Sequence, residues 1–585
     1  MTSGASGVAG VPGPAGATVA DRDDSRPHLV VVGGGLAGMA AALLAVDSGV
    51  RVTLLEARPR LGGQTTSFRR GDLWIDTGQH VFMRCCTAYR GLLARLGVEH
   101  LTTLQPRLDV PVLLGDSLTR TRLRRTSVRL PAPLHLAPAL LGYRALPFAE
   151  RLRAGLAAFQ LGRLDQRSAA VDERSFGAWL TSHGQGPAAT KALWELLTVA
   201  TLNAPAAEAS LGLAAKVVRT GLLDGADAGD LGWAEVPLAR LHGDAAMAAL
   251  GAAGADVHLG AKVRTITAAA GGWELAVTAG GTSRGEAVPG TDSAGVLRAD
   301  AVVLAVPPPA AAALLPVGAG PDPARLRELG DSPIINVHMI YPRQVIEGPF
   351  LAVVDSPIQW IFDRTISSGL AASGPPGAQY LALSQSAAEP WIDRSANELR
   401  TLFVDEMARL FPAARAAAPL EVFVTRERTA TFRQAPGSLA LRPGTSTGLP
   451  GFALAGTWTD TGWPATMESA VRSGLAATRE SLAGMGVVVN GLAGSAGGDR
   501  GAAGPAPAPA RVLPRQGADE APSTHATHSS DPSLLLDPAV APNASGSSDS
   551  PDPRGENAVT AATKAVTRPV PTGQPGHSST GGFPV

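Results

Sequence analysis

Three glycines, Gly33, Gly35 and Gly38, follow His28 and the apolar run Leu29-Val-Val-Val32, and an acid, Glu56, comes eighteen positions after the last of them. Glycines at this spacing hold phosphate with backbone alone. Gly33 permits a tight turn, and Gly35 removes the side chain that would keep a pyrophosphate off the backbone. Gly38 lets the following helix lie close to a sheet. That helix, over about 36–48, aims its free N–H groups and positive dipole end at the phosphates. Residues 50–55 read as the next buried strand, and Glu56 at its end can accept both hydroxyls of a ribose. Strand, glycines, helix, strand and acid in this order predict a dinucleotide site. Residues 29–46 carry no charge and reach the length of a membrane span. The glycines and the strand-turn-helix order nevertheless favour a soluble Rossmann unit.

The only cysteines, Cys85 and Cys86, are adjacent. Neighbours rarely form a structural disulfide, and two cysteines without a histidine cluster make no zinc site. No metal centre is expected, and the pair reads as reduced thiols of a cytoplasmic protein.

The elements that position these residues come in pieces. Lysine plus arginine equals aspartate plus glutamate at 50 each, so no global field favours nucleic acid. Residues 1–26 lack the apolar core of a signal peptide. The last hundred residues hold no Trp or Tyr and one Phe, Phe583. Such segments bury too little apolar surface to offset their ordering entropy, so 1–26 and 487–585 are expected to be disordered. Between them the pattern alternates. Residues 27–100, 236–325 and 421–486 read as three parts of one cofactor domain. Residues 101–235, mostly helical, and 326–420 read as two parts of a substrate domain. The expected fold class is α/β, a Rossmann-like FAD/NAD(P)-binding domain with an inserted α+β substrate domain and a disordered C-terminal tail.

In more detail, 101–128 alternates as strands of a separate sheet would, and helices are expected at 148–164, 175–182, 188–202 and 210–220. Strands are also expected at 256–259, 262–267 and 273–277. Residues 334–341, 350–354, 358–362 and 380–384 predict the substrate sheet, with a helix at 395–411. Strands at 421–426 and 452–455 are expected to return to the cofactor sheet before a last helix at 466–485. The uncharged stretch 301–320 carries Pro307, Pro308, Pro309 and Pro316, which exclude a membrane helix and leave a strand and a turn.

Five strings narrow the reading: Leu55-Glu-Ala-Arg-Pro-Arg-Leu-Gly-Gly63, Asp76-Thr-Gly-Gln-His-Val81, Asn336-Val-His338, Gln359-Trp-Ile-Phe-Asp363 and Trp458-Thr-Asp-Thr-Gly-Trp-Pro-Ala-Thr-Met-Glu468. With them the chain resembles the FAD-dependent amine oxidase and phytoene desaturase superfamily. Within it the chain is similar to the hydroxysqualene dehydroxylase family, the squalene-associated FAD-dependent desaturases. The resemblance covers about 28–484 and none of the tail. It implies FAD as cofactor. Gly33, Gly35 and Gly38 would cradle its pyrophosphate and Glu56 its adenosine ribose. Arg58, Arg60, Gly62 and Gly63 match the loop that crosses the diphosphate and ribityl chain, and Val263 supplies backbone to the adenine edge. Gly456, Thr457 and the helix start at Thr466 and Met467 would face the ribityl chain and the pyrimidine, where the helix dipole stabilises negative charge. Three positions depart from the family pattern: Thr457 stands where many members have an acid, Gln64 where an Arg is usual, and Ser469 where a Gly is usual.

The same resemblance implies a reductive reaction, in which reduced FAD gives hydride to an allylic carbon of hydroxysqualene and the hydroxyl leaves as water. Hydroxide leaves poorly, so an acid is needed: the resemblance makes His80 a candidate, able to carry a proton near neutral pH or else to hold its loop by a structural hydrogen bond, and Asp460 another where a dry aromatic setting raises its pKa. Trp360, Trp458 and Trp463 would line the flavin and stabilise positive charge with their π faces, or else pack as ordinary core. The substrate is a C30 polyprenoid, and other enzymes of the squalene pathway are candidate partners. A basic amphipathic stretch at 147–164 offers a surface for peripheral contact with the inner face of the cell membrane, or else packs with its arginines in water. Two competing readings remain open at this point. One is a carotenoid desaturase running the flavin oxidatively. The other is a non-catalytic prenyl-chain escort.

Overall fold

The computed structural model describes residues 25–127, 130–279, 290–292 and 295–489. The two ends expected to be disordered lie, apart from 25–26 and 487–489, outside the described residues.

A five-stranded parallel sheet carries the glycines. Its order is Asp256–Leu259, Arg51–Glu56, His28–Val32, Ala301–Leu304 and Phe452–Leu454. Leu29, Val30 and Val31 are wholly buried, because helices cover one face of this sheet and the antiparallel strands Ala261–Ala269, Gly272–Ala279 and Val296–Ala299 with two short helices cover the other, so the inner strands must be apolar on both sides. From His28–Val32 the chain moves outward to one side, then returns and fills the other. The strand order therefore reverses beside the first strand, where crevices form in open α/β sheets. Gly33 lies at that crevice.

Helix Leu36–Asp47 begins there with Gly35 as its cap, no side-chain cap bond and no acid in its first turn. Its leading N–H groups and dipole are left for a ligand. The helix is sandwiched between the sheet and the last helix, Met467–Ser481. Contact is at backbone distance: a Cβ at Gly38 would collide with the Gly33 carbonyl, and one at Gly474 with the Ala37 carbonyl. Thr478 donates to the Ala41 carbonyl at 3.0 Å, fixing the crossing.

The substrate sheet has seven strands in the order Glu421–Phe432, Asp331–Tyr341, Gln379–Gln385, Trp360–Asp363, Phe350–Val354, Asp109–Leu114 and Thr119–Arg124. Side chains alternate across it. Ile335, Val337 and Met339 pack under helix Ala396–Leu410, so Asn336, His338 and Ile340 face the opposite way. That second face meets the region after the glycine pair, where Ile340 and Tyr380 pack with Ile75 and Gln64 Nε2 donates to the Thr429 carbonyl at 2.6 Å.

Two expectations need correction. The pattern of 421–426 predicts a strand of the cofactor sheet, but Glu421–Phe432 is the edge of the substrate sheet, antiparallel to Asp331–Tyr341. Its charges are the reason: a strand holding Arg426, Glu427 and Arg428 suits an antiparallel edge and not a parallel interior. The chain rejoins the cofactor sheet only at Phe452. The strands within 101–128 also divide. Thr102–Leu104 joins Val81–Met83 and Leu231–Ala234 in a small sheet, while the next two enter the substrate sheet. Strands Ala261–Ala269, Gly272–Ala279 and Val296–Ala299 form a separate antiparallel sheet. The expected helices are present as Phe148–Leu161, Phe176–Ser182, a helical run over 187–202, and Leu211–Val218. Among the described residues no helix is long and apolar enough to cross a membrane.

Candidate active site

Two glycine turns face each other at the crevice. Gly62 N–H donates to the Gly34 carbonyl at 2.9 Å, and a Cβ at Gly63 would stand 3.0 Å from Gly35 Cα. A Cβ at Gly35 would meet nothing closer than Gly63 Cα at 3.9 Å. The space over Gly35 is open and walled by backbone. Glu56 stands at its side, accepting from Gly34 N–H at 2.7 Å and Arg58 N–H at 2.8 Å. Each carboxylate oxygen keeps lone-pair capacity for a ribose hydroxyl. Arg58 and Arg60 are exposed and have no ion-pair partner among the described residues. Val263 lies buried in the cluster that also holds Val30, Val32 and Leu55, beside this end of the sheet. The Thr66 hydroxyl, just past the glycine pair, is buried without a hydrogen-bond partner. A side-chain-free cradle, a free pair of guanidiniums and an orphaned hydroxyl fit a dinucleotide.

The other end of the cradle is built by the chain entering the last helix. Gly456 has φ +143°, where a side chain would be strained and would strike the Trp458 indole. Its N–H donates to Ser473 Oγ at 2.8 Å. Thr457 is half-buried, and its hydroxyl makes no hydrogen bond among the described residues. Thr466 caps the helix through Ser469 N–H at 3.3 Å, so Met467 begins a helix whose dipole points at the crevice. Ser469 bonds Thr461 Oγ1 at 2.7 Å, which gives the serine a use that glycine could not have. Glu468 is fully buried and accepts from Ala88 N–H at 3.1 Å, Tyr89 N–H at 2.8 Å and Arg472 Nε at 2.6 Å. It clamps the last helix onto the start of helix Thr87–Arg95.

The two candidate acids lie in different surroundings and share no partner. His80 is half-buried, with Nδ1 on the Gly78 carbonyl at 3.1 Å. Its Nε2 makes no hydrogen bond among the described residues. Burial first, then the Arg364 guanidinium, push its pKa below the ordinary value, against the pull of the Gly78 carbonyl and Asp76. Asp76 pairs with Arg364 at 2.5 Å and accepts from Ser67 Oγ and Leu238 N–H. His242 beside it is pushed down to about 4 by burial, bridging the Thr65 carbonyl and Tyr89 hydroxyl. Asp460, by contrast, pairs with Arg167 at 2.5 Å and accepts from Gly462 N–H. It lines a separate cavity of about 180 Å³ with Lys216 and Arg442.

The tryptophans are not brought together. Trp458 is core, donating to the Val306 carbonyl at 3.0 Å within the cofactor-sheet cluster. Trp463 lies between the Lys216 ammonium at 4.8 Å and the Arg472 guanidinium at 5.1 Å. Only Trp360 joins an aromatic surface: it stacks on Phe362 at 6.1 Å, with Phe350 and Trp233 completing the group. Trp233 sits in a short alternating strand whose sequence gives no hint of this partner. Along the same row of the sheet, Asn336 lies between Ser384 and Thr425. Its amide is buried with neither atom partnered among the described residues.

Residues 36–481 match the model of the family described as flavin containing amine oxidoreductase. The chain is 30% identical to a hydroxysqualene dehydroxylase of Rhodopseudomonas palustris, covering 76% of this chain and 96% of that one. It is 29% identical to a hydroxysqualene dehydroxylase of Sinorhizobium fredii, covering 76% and 95%. Putrescine oxidase with bound putrescine shares the fold at TM-score 0.55 and 20% identity, over 78% of this chain and 99% of that one.

Proposed function

The chain belongs to the flavin-containing amine oxidoreductase family and is an FAD-dependent oxidoreductase; on that premise we propose that it reduces hydroxysqualene to squalene. The observation that carries the reading is similarity to two hydroxysqualene dehydroxylases along nearly their whole length. The reaction consumes hydroxysqualene, one proton and reduced FAD as its anion, FADH−, and yields squalene, water and oxidised FAD. When bound and reduced, the cofactor supplies the hydride.

The chain's own residues supply position, polarity and the proton. The open backbone cradle between Gly35 and Gly63 takes the diphosphate, with Arg58 and Arg60 against its charge. Glu56 takes the ribose. The start of the last helix would hold the pyrimidine end. The aromatic group of Trp233, Phe350, Trp360 and Phe362 offers π faces to the positive charge that grows at an allylic carbon as its hydroxyl departs. His80 holds the proton for that hydroxyl at Nε2, its unbonded nitrogen. Because its pKa is depressed, its imidazolium is a strong acid once formed. Asp460, with both oxygens already engaged, is the poorer donor.

Anaerobic enzyme, chemically reduced and mixed with hydroxysqualene, is expected to form squalene, while oxidised enzyme leaves phytoene unchanged. Desaturation of phytoene without squalene from the reduced enzyme would overturn the reading in favour of a carotenoid desaturase.

A further inference from the structure

Helix Phe148–Leu161 turns four of its five larger apolar side chains away from the protein. Its buried residues are Ala154, Ala157 and Leu161. Phe148, Leu152, Leu156 and Phe159 are exposed by 62%, 53%, 59% and 52%. Spaced by four, four and three residues, they form one stripe on the outward face. Leu134 and Leu141, exposed by 59% and 43%, add to it from the preceding turn and from helix Ala137–Gly142, which packs on this helix. Single exposed leucines are ordinary, but a contiguous stripe of this size marks a surface that meets something.

The charge around the stripe says what it meets. Residues 118–164 contain nine arginines, no lysine and one acid, Glu150, in a chain whose charges balance overall. Arg144, Arg153 and Arg163 are exposed beside the stripe, and the Arg163 guanidinium lies 5.6 Å over the Phe159 ring. Arg151 donates to the Leu141 and Leu146 carbonyls at 2.5 and 2.7 Å, locking the turn between the two helices. The edge strand Thr119–Arg124 adds Arg120, Arg122 and Arg124, of which the last two share Asp109.

We propose that this face docks on an anionic lipid bilayer, its apolar stripe reaching the acyl boundary and its guanidiniums standing at the phosphates. Arginine places its charge at headgroup level while its stem lies along apolar surface. The buried side of the helix belongs to the core that also holds Val112 and Ala352 of the substrate sheet, with Trp360 packed against it. A hydrocarbon leaving the bilayer here would stay beside apolar protein on its way to the aromatic group. That route rests on the function proposed above; the docking does not.

The test is sedimentation of the full-length flavin-bound protein with vesicles of phosphatidylcholine alone or mixed with phosphatidylglycerol. Binding is expected to the mixed vesicles, to weaken with salt, and to be at least tenfold weaker on pure phosphatidylcholine. Leu152→Asp with Leu156→Asp should lower binding tenfold or more while flavin content and activity on detergent-dispersed hydroxysqualene stay at wild type. Arg153→Ala with Arg163→Ala should reduce the preference for anionic lipid. Wild-type protein that ignores anionic vesicles, variants that bind as wild type does, or a dimer that the aspartates dissociate would each overturn the docking. Vesicle binding without squalene formation would sink the functional reading and leave the docking standing.

Discussion

Gly35 and Gly38 are the same residue type doing different work. A side chain at Gly35 would enter open space, whereas one at Gly38 would strike the Gly33 carbonyl. Gly35→Leu is therefore expected to fold normally and purify without flavin, since only the ligand is displaced. Gly38→Leu should fail to fold. Flavin content and thermal unfolding, measured together, separate the two, and a fully flavin-loaded Gly35→Leu would show that the cradle lies elsewhere. For His80 the sign of the pH dependence is fixed by its depressed pKa. Less of the imidazolium exists as pH rises, so turnover at saturating substrate should climb as pH falls below neutral and level off below that pKa. His80→Ala should cut turnover about a hundredfold and flatten the profile, with flavin content near normal. Asp460→Asn should change little, and an equal loss in both variants would show that His80 is not the donor. The glycine positions could be read from sequence because the whole device is local. The surroundings of His80 could not: Arg364 lies 288 residues from Asp76, the acid it pairs with.

Elements whose pattern states their environment were legible, and those defined by a distant partner were not. The apolar runs at 29–32 and 301–304, with the largely apolar stretch 50–55, require burial on both faces and point directly to the parallel sheet. Residues 421–432 carry their charges to the edge of the other sheet, and only the pairing with Asp331–Tyr341 reveals it. The clamp between the last helix and helix Thr87–Arg95 was equally hidden, because Glu468 and Tyr89 are 379 residues apart. It can be tested as an element. Glu468→Ala leaves two N–H groups and Arg472 without their buried acceptor, and loss of such a partner costs about 3–5 kcal/mol. Glu468→Gln, which keeps one acceptor oxygen, should cost less. Urea unfolding of the two variants checks the order, and an Ala variant as stable as wild type would remove the clamp from the account.

Across the whole molecule, three buried histidines join separate parts and are held neutral. Burial lowers His28 and His242 to about 4 and His338 to about 3, from an ordinary value of 6.5. Above pH 6.5 neither the folded nor the unfolded chain protonates them. As pH falls from 6.5 toward 4 the unfolded chain takes up protons that the folded chain refuses, so stability is lost, by about 1.4 kcal/mol per pH unit for each group. His28 bridges the Arg298 carbonyl and Thr53 Oγ1, away from the aromatic group. His28→Gln should reduce the dependence of unfolding free energy on pH by about one proton between pH 6 and 4.5. An unchanged slope would mean that His28 protonates in the folded protein.

The central claim is that a proton and the electrons of bound FAD turn hydroxysqualene into squalene. It is tested most directly by a single anaerobic turnover of the reduced, flavin-bound enzyme with hydroxysqualene in excess, following flavin absorbance and product together. The account predicts that the oxidised-flavin spectrum returns and that one squalene forms for each flavin oxidised. Flavin that stays reduced in the presence of hydroxysqualene, or squalene formed without flavin oxidation, would contradict it.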